Sequence, residues 1–292
     1  MAKFFGFVQF DFAGPLPLAD GRYLAGSGGD GDESVLVLER IGAPASGGRK
    51  RRRARAAAAD PEPAPVTVTR VTAIRAAFPF EDPAAAARWL DEACEAEETV
   101  EALAAEGIAT LNRALHAQAV AAADPRMRSE LSPEQAERVL VGYGSGEEAA
   151  DGRFTDARQV DLLPRASSRR RRREKELRPQ ERVAAVLRGR ERLDACETLL
   201  LRARADLDAG RDREAALQLR VGLEALLVEL KGALADPAHE EDMGTLTARR
   251  SEAGDAANSA LQGELSDEQH TQVEDLLKTC ERILRRRRVL RG

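Results

Sequence analysis

The run Gly142-Tyr-Gly-Ser-Gly146 is the glycine constellation in this chain best spaced for chemistry. Backbone amides bared by glycine can cradle a phosphate where such a loop opens a helix. The run lacks the Gly-Lys-Ser/Thr ending of a P-loop and the full Gly-x-Gly-x-x-Gly of a dinucleotide loop. Gly142, Gly144 and Gly146 are therefore read first as a structural turn and second as a weak phosphate site. His116, His239 and His270 are scattered, with no His-x-x-x-His pairing aimed at a metal. Cys94, Cys196 and Cys280 fall on three different predicted helices with no Cys-x-x-Cys, which is neither a disulfide framework nor a zinc pattern. They read as small buried hydrophobes. The sequence thus leans away from an enzyme and calls for no cofactor and no metal.

Arginine offers the other chemistry. Residues 49–55 read Arg-Lys-Arg-Arg-Arg-Ala-Arg, residues 169–173 are five arginines, and residues 285–288 are four more. Clustered arginine neutralises phosphates and releases counterions, so Arg51, Arg52, Arg53, Arg169, Arg170, Arg171, Arg172 and Arg173 are the candidate nucleic-acid contacts. Against this, no aromatic residues interleave with the runs for base stacking, and the net charge is −5. Only five of 45 basic residues are lysine, and alanine use is heavy. A GC-rich genome produces that bias without any function. Residues 81–106 carry nine acidic residues and one arginine, arranged all around a helix as a solvated face. The runs also fit solvated linkers that contact those acidic helices.

The elements that would position these groups follow from periodicity. In residues 3–12, Phe4, Val8, Phe10 and Phe12 share one parity and face a core, while Gln9 and Asp11 take the other. Turn chemistry at Gly14-Pro15 and Asp20-Gly21 separates this strand from strands at 22–25 and 35–40, which suggests an antiparallel meander. Residues 42–65 are a flexible basic loop. Val66–Ile74 is rich in β-branched residues and reads as a strand. Asp82-Pro83 starts a helix that runs almost forty residues with a break near 95–98. Ser132-Pro-Glu-Gln135 is a capping box that predicts a short helix. Residues 139–146 stay ambiguous between helix end and strand plus loop, and 151–160 read as extended.

Beyond a second basic linker at 164–178, helices are predicted at about 179–189, 191–209, 212–235, 241–262 and 266–289. Leu193, Cys196, Leu199, Leu200, Ala203 and Leu207 form one apolar stripe. Ala216, Leu219, Leu223, Leu226, Leu230 and Leu234 form the next. Gly210 sits where a left-handed C-terminal turn wants glycine, and Asp212 can cap the helix that follows. A turn this short packs the two helices antiparallel.

The stretch Ala203–Leu219 resembles the middle of a tetratricopeptide repeat: Gly210 in the turn, Ala215 five residues on, Leu219 four after that. Gly222 stands where the family usually has alanine, and the terminal proline is missing. The resemblance covers about one repeat and implies a protein-binding surface without chemistry. A generic helical hairpin fits the same residues.

The expectation is an α+β chain. Residues 1–163 form a small antiparallel sheet with helices, and 179–292 form a mostly α antiparallel bundle. At 43% hydrophobic the chain can bury real cores. No run of 18 apolar residues occurs and the N-terminus is too polar for a signal peptide, so no membrane is implied and a cytoplasmic location is expected. The favoured function is a non-enzymatic interaction or regulatory protein that binds another protein through the helical hairpin. The alternative is backbone binding to nucleic acid through the arginine runs.

Overall fold

In the computed structural model, residues 3–26, 33–42, 67–127, 130–162, 180–230 and 237–291 are described. They belong to two units, Met1–Arg165 and Ala166–Gly292. The flexible loop expected at 42–65 and the linker at 164–178 lie, apart from Gly42, outside the described residues.

The N-terminal unit is a six-stranded antiparallel sheet. Its strands are β1 (Phe4–Ala13), β2 (Gly21–Gly26), β3 (Glu33–Ile41), β4 (Val68–Arg75), β5 (Arg138–Ser145) and β6 (Asp156–Val160), in the order β2-β3-β4-β1-β5-β6. The meander expectation is corrected here, because β1 pairs with β4 and β5 and not with β2. The reason lies in β1 itself, which carries large apolar groups on both parities. It needs cover on both faces, and a central position supplies it. Val8, Phe10 and Phe12 enter the main core, with Phe4 packed against it. Gln9 and Asp11 do take the opposite face, yet they are only 1% and 9% exposed. That face carries a second, smaller cluster around Phe7, Val37, Ile74 and Ala149.

Two helices cover the main face. α1 (Pro83–Glu95) is capped by Asp82, whose carboxylate accepts from the Ala85 amide at 2.8 Å. The chain breaks at extended Ala96, and α2 (Glu97–Ala121) follows. Gly107 on α2 permits the closest approach: a Cβ there would lie 2.4 Å from Val8 Cγ1 and 3.0 Å from Phe10 Cε2. Gly6 does the same for Trp89, whose ring would meet an added Cβ at 2.7 Å. The Ser132 capping box exists but opens only a 3₁₀ turn, Pro133–Gln135. Residues 139–146 resolve as β5 followed by α3 (Gly146–Ala150).

The C-terminal unit is helical: α4 (180–187), α5 (Ala195–Asp208), α6 (Asp212–Leu230), α7 (Pro237–Ala248), α8 (Arg250–Gln262) and α9 (Asp267–Arg291). α6 is central and contacts α5, α7, α8 and α9. Its Leu219, Leu223, Leu226 and Leu230 join Leu200, Leu277 and Ile283 in one aliphatic core. Three expectations need correction. The helix expected at 241–262 is two helices that meet at Arg249. Leu193 precedes α5 and is 61% exposed, because the Asp194 capping box starts the helix at Ala195. Asp212 is the first residue of α6 and does not cap it; its carboxylate lies 3.1 Å from His270 Nδ1.

Candidate functional site

The glycines of the 142–146 run are explained by packing. Gly142 lies in β5 between Phe7 of β1 and Ala157 of β6. An added Cβ would come within 2.6 Å of the Asp156 carbonyl oxygen and 2.8 Å of Phe7 Cζ. Gly144 faces the Arg153 carbonyl at 3.3 Å by the same measure. Gly146 opens α3, and its amide donates to the Lys3 carbonyl. The Glu148 carboxylate accepts from the Ser145 amide and hydroxyl at 3.0 Å each and from Thr155 Oγ1 at 2.7 Å. The Thr155 bond, with those of Ser145, holds the Glu148 carboxyl below its ordinary range. The first turn of α3 is thus capped from within the chain, by a group of phosphate's own charge.

Arg51, Arg52 and Arg53, and Arg169, Arg170, Arg171, Arg172 and Arg173, lie outside the described residues. Two arginines of the third run are ion-paired within the helical unit. Arg286 pairs with buried Asp242, and Arg287, 7% exposed, pairs with Asp194 at 3.0 Å.

The thiols are quiet. Burial, then Glu229, pushes Cys196 far up, and burial pushes Cys280 up to about 12. Burial also raises Cys94. A protonated thiol is a poor nucleophile. Among the described residues no group of three His, Cys, Asp or Glu side chains is placed to hold a metal ion. None of the described helices is long and apolar enough to cross a membrane.

Sequence reasoning missed a polar network on the second face of the sheet. Gln9 Nε2 donates to Thr72 Oγ1 at 2.7 Å and to the Gly152 carbonyl at 2.9 Å. Beside it, Asp11 accepts from Arg70 Nε at 2.9 Å and from Arg138 Nε at 2.9 Å. Burial pushes the Asp11 carboxyl up, but the Arg70 hydrogen bond and the charges of both arginines more than offset it, so its pKa is lowered. The alternation of β1 showed which face these groups take. Their partners come from strands 59 and 127 residues away, which no local pattern reveals.

The hairpin α5–α6 offers the clearest surface. Gly210 takes a left-handed φ of 68° in its turn, where glycine carries no Cβ penalty. At the other end the Glu229 carboxylate accepts from the Ala195 and Cys196 amides at 3.0 and 3.3 Å, tying the end of α6 to the start of α5. In between, Gly222 lets the helices close, since a Cβ there would meet Leu200 Cδ2 at 3.0 Å. With its core face sealed, α6 still presents Val221 at 55% and Val228 at 65% exposure. They stand seven residues apart and so share one stripe. Leu217 and Ala225 stand on the same side, partly buried. Along the rim Glu224 pairs with Arg220 at 2.9 Å and with Arg250 at 2.6 Å. The signal was in the sequence as a second, sparser seven-residue repeat, overshadowed by the dense leucine stripe of the core.

Comparison with known proteins gave no match to a family model, a curated protein or a solved structure.

Proposed function

We propose that this chain is a non-enzymatic, cytoplasmic protein-interaction or regulatory protein that binds a protein partner through the outer stripe of α6. One observation carries the reading. Val221 and Val228 are exposed on a helix whose opposite face is fully buried. An apolar stripe rimmed by charge is what an amphipathic partner helix lays its own apolar face upon, with anchors at three-, four- and seven-residue steps. The tetratricopeptide-like spacing of Gly210, Ala215 and Leu219 points the same way. Affinity capture from nuclease-treated extract tests it, comparing the wild type with Val221→Glu/Val228→Glu. A discrete partner should be retained by the wild type and lost from the variant, while the variant's melting temperature is unchanged. Equal retention by both, or recovery only when nuclease is omitted, would overturn the reading; the latter would point to nucleic acid.

A further inference from the structure

We propose that β2 pairs antiparallel with β2 of a second copy of this chain, joining two sheets edge to edge. The sheet has two edges, and they are treated differently. β6 is five residues long and carries two charged residues, Asp156 and Arg158. Short length and charged side chains are the usual means of closing an edge to further pairing. β2, Gly21-Arg-Tyr-Leu-Ala-Gly26, has no proline, no lysine and no acidic residue. Its one charge, Arg22, is taken up by Asp151 at 2.6 Å. Leu24 is 73% exposed, the most exposed of the large apolar side chains described in this unit.

Register names the occupant. Leu24 pairs with Val35, Val35 with Ile74, and Ile74 with Phe7. One apolar row therefore crosses the second face of the sheet and stops at an edge with which no further described strand pairs. A two-fold axis perpendicular to the sheet keeps each face on its own side and must pass midway between a residue of β2 and its own copy for opposed residues to share a face. Centred on Leu24, it sets Leu24 against Leu24, Tyr23 against Ala25 and Arg22 against Gly26. No like charges oppose one another, and the apolar row continues into the second sheet. The strand is thus complementary to itself, as an isologous contact requires.

Two measurements on the full chain test this. Sedimentation velocity should show twice the mass of one chain as concentration rises, and Leu24→Lys should return it to single-chain mass with its melting temperature unchanged. In a Cys94→Ser background, Leu24→Cys should cross-link to itself under mild oxidation. Opposed residues have Cα atoms about 4.5–5.5 Å apart, within disulfide reach. Arg22→Cys should not, because its copies would stand about 13 Å apart along the strands. A wild type of single-chain mass throughout, association that survives Leu24→Lys, or equal cross-linking at 22 and 24 would each overturn the proposal.

Discussion

All eight phenylalanines, both tyrosines and the single tryptophan of the chain lie before residue 155, so the helical unit has none of the three. The contrast runs through the packing. The sheet unit sets rings into an aliphatic core, Phe10 stacked on Phe12, with Trp89 tilted against Phe80 beside it. It also encloses polar groups, Gln9, Asp11, Thr69 and Thr72, whose partners lie at least 53 residues away along the chain. The helical unit fills its core with leucine and alanine, with Val273, Ile283 and the two cysteines among them, and its buried polar groups are the ion-paired Asp242 and Arg287. The sheet unit depends on strand pairings between distant segments, whereas the helices of the second unit follow from local period, and distant ion pairs such as Arg287 with Asp194 then join them. The helical unit is accordingly where a spare stripe can be set aside for a partner, since its core uses only part of each helix surface.

The contrast can be broken most sharply in the aliphatic core. Leu226 is fully buried, so Leu226→Ala should cost about 2–5 kcal/mol in a urea titration followed by helical circular dichroism. A loss below about 0.5 kcal/mol, the range of a surface change, would mean that the α6 seam is not core.

Next in size is an added atom at the close packing of the sheet. Gly142→Ala forces a Cβ against the Asp156 backbone oxygen, and overpacking of this kind costs about 1–3 kcal/mol. Trp89 fluorescence reads the loss in its own unit. A neutral result would place β6 away from β5.

Acid should weaken the sheet through Asp11. Its carboxyl has an ordinary value of 3.8 and is lowered in the folded chain. On acidification the unfolded chain takes up the proton first. The stability from the Arg70 and Arg138 pairings is therefore fully present above about 3.8 and is lost as pH falls through the lower folded value. Asp11→Asn should flatten that part of the acid unfolding curve read by Trp89. An unchanged acid limb would mean that the pairings do not contribute.

What the sequence made legible follows the same division. The break at Ala96, the turn at Gly210 and most of the stripes of α5 and α6 are local, and local spacing predicted them. Strand order was not legible, because nothing in residues 3–41 says that β1 will pair with residues 68–75 and 138–145. Gly142, Gly144 and Gly146 looked like a loop because glycine at close packing and glycine in a turn are the same letters. Asp212 looked like a cap because His270, which holds it, is 58 residues away along the chain.

The smallest stability effect belongs to the outer stripe. Val221→Glu/Val228→Glu should change stability by no more than about 0.5 kcal/mol per site, as exposed substitutions do. A larger loss in the same urea titration would make the stripe part of the fold and unavailable to a partner.

Photo-crosslinking inside cells tests the central claim most directly. A photoreactive amino acid placed at position 228, and separately at the exposed position 201 on α5, is irradiated and the adducts are resolved by mass. One discrete protein adduct is expected at 228 that disappears when Val221→Glu is added, and none at 201. No protein adduct at 228, or the same adduct at both positions, would contradict the claim.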